Sequence, residues 1–162
     1  RPGNYMALFP SYEFMRETAR HLELPVIVQE PRMTELQRLA VIDALRTNDP
    51  PKLVLGVQGG LFAEGVDFAG EMLSGVIVVS PALPQVSFER ELMRRYYDQK
   101  YSKGFEFAYL YPGMNRVIQS VGRLIRTKTA TGLVVVLDNR VLTKKYGQAF
   151  LDALPKCPMT IV

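Results

Sequence analysis

Three segments of this chain carry residue types that hold or polarise phosphate. The richest is Met114–Arg126, which contains three arginines, a glutamine and no acidic side chain. As a helix it turns about 100° per residue; with Gln119 at zero, Arg126 falls near −20°, Arg123 near 40° and Arg116 near 60°. The apolar residues Met114, Val117, Ile118, Val121, Leu124 and Ile125 fall between roughly 140° and 260°. The polar set therefore shares one narrow face. A guanidinium is a planar, permanently charged fork that matches phosphate oxygens. Like charges at helical spacing repel by a few tenths of a kcal/mol per pair. An external anion would relieve that repulsion, and so would carboxylates from elsewhere in the fold. Gly122 costs the same helix about 1 kcal/mol relative to alanine, which predicts the close approach of a neighbouring element or a ligand.

The second segment runs from Gly56 to Phe68 and carries Gly56, Gly59, Gly60 and Gly65, with Glu64 and Asp67 between apolar residues. Glycines let a backbone take positive φ and present N–H groups to an anion. The spacing is neither a Walker A loop nor GxGxxG, and a plain strand-to-loop transition explains it equally well. The third segment is Phe9-Pro10-Ser11-Tyr12, where a serine stands at the expected start of a helix directly after an apolar strand. Free N–H groups and a hydroxyl there suit a phosphate, and simple N-capping is the commoner use. Other chemistries are poorly served. His21 is the only histidine and Cys157 the only cysteine, so neither a Ser-His-Asp constellation with a GxSxG elbow nor a metal site is expected.

The elements that position these segments follow from periodicity. Apolar runs at Asn4–Phe9, Val26–Val28, Lys52–Val57 and Gly75–Ser80 read as strands. Leu133–Leu137, without alternation, reads as a fully buried strand, and Met159–Val162 as a terminal one. Between them lie helices starting near Ser11 and Thr34, a long polar helix with Leu92, Met93 and Tyr96 that runs to about Tyr101, a helix opened by Pro112, and one over residues 143–154. Strands alternating with helices predict an α/β fold, a parallel sheet covered on both faces. With 162 residues, one domain spanning 1–162 is expected, without repeats or linkers.

The 48% hydrophobic and 22% charged content excludes a disordered chain, a collagen or a coiled coil. No apolar run approaches the length of a membrane span. A single cysteine rules out an internal disulfide framework. The net charge of +4 is unevenly spread: residues 1–84 balance at −3, residues 85–145 at +7 and the last 17 at zero. That asymmetry suits a polyanion partner as well as a solvated basic face. Half of the 16 aromatic residues lie between Phe88 and Tyr111 among basic side chains. Such a mixture can stack single-stranded bases, while packing of a helix on the sheet is the expected role for most. The chain begins at Arg1 inside a globular pattern and reads as part of something longer.

Taken in order, the segments resemble the second motor domain of XPD/DinG-type superfamily 2 DNA helicases, with phrasing nearest archaeal XPD. The matches are FPSY at Phe9–Tyr12 (motif IV), GGLFAEGVDF at Gly59–Phe68 (motif V) and QSVGRLIR at Gln119–Arg126 (motif VI). YPGMNRVIQ at Tyr111–Gln119 and GLVVVLDNR at Gly132–Arg140 fit as well, so the likeness covers nearly the whole chain. The sequence departs from the family's frequent acidic residue before the glycine that follows motif VI: here Thr129-Ala130-Thr131 precede Gly132.

The resemblance implies a RecA-like domain forming one wall of a cleft for ATP with Mg2+, the nucleotide held mainly by a first motor domain absent from this chain. Arg123 and Arg126 would be arginine fingers, with Gln119 beside the nucleotide. Glu64, Gly65, Asp67 and Gly122 would couple nucleotide to DNA; Ser11, Tyr12, Gly59, Gly60 and Arg116 would meet single-stranded DNA. It further implies 5′–3′ movement, a monomeric isolated fragment without ATPase activity of its own, and a cytoplasmic protein, or a nuclear one in a eukaryote. An iron–sulfur cluster would belong to the first motor region. The alternatives are a motor-like domain that only binds nucleic acid or a protein partner, and an unrelated doubly wound enzyme that holds a nucleotide in the glycine-rich loop.

Overall fold

The computed structural model describes residues 2–64, 68, 72–122 and 132–154. The chain divides into two compact units, residues 1–80 with 119–137 and residues 81–118 with 138–162.

The first unit is built on strands β1 (Tyr5–Phe9), β2 (Val26–Val28), β3 (Leu53–Val57), β4 (Gly75–Val79) and β5 (Leu133–Leu137). All pairings are parallel and the spatial order is β2-β3-β1-β4-β5, so the expected α/β parallel sheet is the fold. Side chains alternate between the faces of a strand. Ala7, Phe9, Leu55 and Val57 pack with Met15 on one face, while Met6, Leu8, Val54, Val76 and Val78 turn to the other and are equally inaccessible. Burial on both faces is why these strands read as unbroken apolar runs.

Helix α1 (Tyr12–Arg20) covers the Phe9–Val57 face through Met15 and is N-capped by Ser11, whose Oγ accepts the Phe14 N–H at 3.2 Å. Helix α2 (Glu35–Ala44) opens with a capping box: Thr34 Oγ1 accepts the Gln37 N–H and the Gln37 side chain accepts the Thr34 N–H. Its buried positions are Val41 and the following Leu45, while Leu36 is 79% exposed. At the amino-terminal edge of the sheet, the buried Asn4 side chain donates to the carbonyls of Leu45, Thr47 and Met72 and accepts the Lys52 N–H. That one amide ties the connection between α2 and β3 and the connection into β4 to the start of β1, at the edge opposite the strands' carboxyl ends.

One strand differs from expectation. β5 pairs only with β4 and forms an edge of the described sheet, with Leu133 and Leu137 about half exposed. An unbroken Val/Leu run marks strand propensity there rather than full burial. The terminal strand expected at Met159–Val162 lies outside the described residues.

The second unit contains α4 (Phe88–Tyr101), a π-helical turn (Glu106–Leu110), most of α5 (Tyr111–Gly122), a 3-10 turn (Asn139–Leu142) and α6 (Lys144–Ala153); α3 (Leu61–Glu64) belongs to the first unit. Pro112 does not open a helix. It lies in a continuous helical run entered through the π turn, whose Tyr111 N–H reaches back five residues to the Glu106 carbonyl. A proline deprives the carbonyl four residues earlier of its donor. Here that carbonyl belongs to Ala108, and Arg90 Nη1 donates to it at 3.2 Å. The guanidinium replaces the missing N–H, which is how the run tolerates its proline.

Within the second unit the aromatic rings pack on one another: Tyr97 stacks on Phe107 at 4.4 Å between centroids, and Phe105 on Tyr109 at 5.7 Å. Glu91 accepts from Arg94 Nε at 2.9 Å and from the Tyr109 hydroxyl at 2.7 Å. The Arg94 bond foremost, then the Tyr109 hydroxyl, holds the Glu91 carboxyl below the ordinary glutamate range. The same carboxylate pushes the Tyr109 phenol upward.

Candidate functional site

In open parallel sheets, ligands gather at the carboxyl ends of strands, where loops lead into helices. The register sets Phe9 beside Val57 and Leu8 beside Val78, so the ends of β1, β3 and β4 share one edge of the first unit. The Ser11–Tyr12 segment leaves β1 there, and Gly59–Gly60 leaves β3 there. The structure thus brings four of the expected site residues to a single edge.

Two glutamines hold that edge together. Gln58, next after β3, is buried; its Nε2 donates to the carbonyls of Leu8 at 3.2 Å and Ser80 at 2.5 Å. Its own N–H donates to the Phe9 carbonyl at 2.9 Å. Gln29, next after β2, is 1% exposed; its Oε1 accepts the Val57 N–H at 3.1 Å and its Nε2 donates to the Tyr12 hydroxyl at 2.8 Å. A buried amide must satisfy both ends, and Gln29 does so by joining the start of α1 to the end of β3. Sequence reasoning did not assign either glutamine to the site. The signal that would have found them is a polar amide directly after an apolar strand, in Val26–Gln29 and in Leu53–Gln58.

The glycines have separate reasons. Gly59 has φ +74°, the left-handed region that side chains disfavour. At Gly60 a Cβ would lie 2.8 Å from Gln29 Nε2 and 2.8 Å from the Val57 carbonyl. Gly60 therefore makes room for the amide, and Phe62 is fully buried in α3 directly after it.

Ser11 is exposed and its oxygen serves as the N-cap. An α-helix leaves its first N–H groups without intrahelical partners, and this cap answers one of them. Gln119 is exposed near the end of α5, opposite the buried Met114, Val117 and Val121, as the helical arithmetic requires. Arg116 belongs to the second unit, where its Nη1 donates to the Ala82 carbonyl at 2.9 Å. Among the described residues no neighbouring element approaches Gly122, where a Cβ would find nothing within 4 Å; it is exposed at the end of α5. Glu64 closes α3. Arg123, Arg126, Gly65 and Asp67 lie outside the described residues.

Among the described residues no group of three His, Cys, Asp or Glu side chains is placed to hold a metal ion, and no helix is long and apolar enough to cross a membrane.

Comparison with known proteins gives a consistent set of likenesses. A family model described as a helicase C-terminal domain matches residues 1–157. The ATP-dependent DNA helicase DinG of Salmonella choleraesuis is 34% identical over 162 aligned positions, covering 95% of this chain and 22% of that protein. The protein of the same name from Escherichia coli O157:H7 is 36% identical over 143 positions, covering 85% of this chain and 19% of its own length. The chain thus spans about a fifth of the length of these curated relatives. Two solved XPD structures, one in the apo form and one described as the helicase, share the fold with a TM-score of 0.73 each. Their identities are 24% and 23%; the match covers 91% and 98% of this chain and 30% and 29% of theirs.

Proposed function

The chain belongs to the helicase C-terminal domain family, in the XPD/DinG-type group of superfamily 2, and from that premise we propose that residues 1–162 are the second motor domain of an ATP-dependent DNA helicase. The observation that carries the reading is the shared sheet edge. Ser11–Tyr12 and Gly59–Gly60, which the family resemblance assigns to single-stranded DNA, meet there, and Gln29 bonds both Tyr12 and Val57, the last residue of β3 before the glycines.

In this reading the first motor domain, in the same polypeptide, holds most of the ATP and its accompanying Mg2+. Any iron–sulfur cluster would also lie outside this chain, whose one cysteine cannot supply a cysteine ligand set. In the role the family resemblance gives them, Arg123 and Arg126 act across the cleft on the transferring phosphoryl group, and Gln119, which is exposed near the end of α5, lies beside the nucleotide. Fixed positive charge placed where negative charge develops lowers the barrier without reorganisation. Glu64, Gly65, Asp67 and Gly122 couple the nucleotide side to the DNA side. Ser11 and the first turn of α1 offer a hydroxyl and N–H groups to the DNA backbone. Arg116 adds a phosphate contact to its bond with Ala82.

Movement along the strand is 5′ to 3′. The test uses the intact protein on two partial duplexes, one with a 5′ single-stranded tail and one with a 3′ tail. Strand separation that requires ATP and the 5′ tail is expected. No separation, or separation of the 3′-tailed substrate alone, would end this reading of the motor.

A further inference from the structure

We propose that Gln29 is a positioning residue that locks the DNA-contacting start of α1 to the glycine loop after β3, so that DNA binding at one is felt at the other. The inference rests on the motor reading above and deepens it, since it names the residue through which two contacts act as one. Gln29 is not itself among the residues expected to meet DNA. Its side chain is buried at the sheet edge and reaches two elements at once, Val57 through Oε1 and Tyr12 through Nε2. Its own N–H continues the ladder by donating to the Leu55 carbonyl at 2.8 Å. The amide is therefore held on the sheet while bonding both neighbours.

The surroundings leave the amide a single place. A Cβ on Gly56 would meet Gln29 Oε1 at 3.0 Å, and one on Gly60 would meet Nε2 at 2.8 Å. Both glycines thus border the amide. The glycine-rich loop, which sequence alone presents as an anion cradle or a simple bend, is also the space that this amide occupies. Moving Tyr12 pulls on Nε2, and through a planar amide on the hydrogen bond that fixes the last residue of β3 before Gln58, Gly59 and Gly60. A single buried group bonded to the first residue of α1 and to the last residue of β3 makes the positions of the two segments interdependent.

The test is a double-mutant cycle in the intact protein: Gln29→Met, Tyr12→Phe and the pair, each assayed for ATP turnover against the concentration of a single-stranded oligonucleotide. Gln29→Met keeps the side-chain length and removes both bonds; Tyr12→Phe removes only the hydroxyl. Each single change is expected to raise the half-activating DNA concentration about tenfold, with the maximal rate at saturating DNA nearly unchanged. The double variant should stay at about tenfold, because the second change removes a bond already lost. A merely structural role would lower the maximal rate, through a smaller active fraction, and leave the half-activating concentration in place; that result overturns the proposal. So does an additive double variant near a hundredfold, which would make the two residues independent. Should Gln29→Met fail to fold, Gln29→Glu replaces it, since its carboxylate still accepts from the Val57 N–H and from the Tyr12 hydroxyl. Near-normal DNA activation is then expected for Gln29→Glu beside a tenfold rise for Tyr12→Phe, and an unchanged Tyr12→Phe overturns the tie. A wild-type protein whose turnover ignores DNA would instead overturn the motor reading on which the inference stands.

Discussion

Arg123→Ala and Arg126→Ala, each made in the intact protein, are expected to lower ATP turnover by about a thousandfold or more while single-stranded DNA affinity changes little. The size follows from what an arginine does in phosphoryl transfer. Charge spreads over the equatorial oxygens of the group in flight, and a guanidinium delivered from the facing domain meets it with two parallel N–H bonds. The sequence spacing of Arg123 and Arg126, three residues apart, suits a shared phosphate group if the helical pattern of the sequence continues through them. Lysine retains the charge and loses the fork, so Arg→Lys should recover only part of the rate. DNA affinity survives because four of the five residues assigned to it, Ser11, Tyr12, Gly59 and Gly60, lie on other segments of the chain, and the fifth, Arg116, is left unaltered. Steady-state turnover at saturating DNA and equilibrium binding of a labelled oligonucleotide separate the two effects. Near-normal turnover in both alanine variants would remove the arginine-finger assignment.

The second large effect is the response of DNA affinity to salt. Each phosphate neutralised on a single strand releases counterions, giving a slope of about −0.7 per contact in log affinity against log salt. About five contacts would then cost roughly a hundredfold between about 50 and 200 mM salt. The +7 balance of residues 85–145 suggested such a partner, and the structure narrows which charges remain for it. Arg90 is taken by the Ala108 carbonyl, Arg94 by Glu91, Arg140 by Asp138 and Lys145 by Glu106. Arg95, Lys100 and Lys103 are exposed. Charge-neutral substitutions at these three should flatten the slope, whereas the same change at Arg140 should leave it alone. A flat salt response of the unaltered protein would refute the polyanion reading.

Much of the architecture was legible because it rests on local rules. A strand buried on both faces reads as an apolar run, and a serine before a helix reads as its cap; β1, β3, β4 and Ser11 follow from those rules alone. The misreadings arise where a distant partner decides. Leu133–Leu137 has the composition of a buried strand and lies at an edge, because lateral position in a sheet leaves no mark on a strand's own residues. Pro112 looked like a helix start; only Arg90, twenty-two residues earlier, explains how the helix passes through it. The site shows the same division. Its motif segments could be found by type and spacing, yet the amide that joins two of them belongs to neither and sits after the short strand β2. Gly60 is a glycine partly for the sake of that amide, a reason visible only once the fold is in hand.

The central claim is that this chain is half of a DNA-driven ATPase motor. It is tested most directly by ATP turnover of the intact protein, measured with and without single-stranded DNA. The expected result is slow turnover alone and a saturable rise with DNA that Arg123→Ala abolishes. Turnover indifferent to DNA, or unaffected by that substitution, would contradict it.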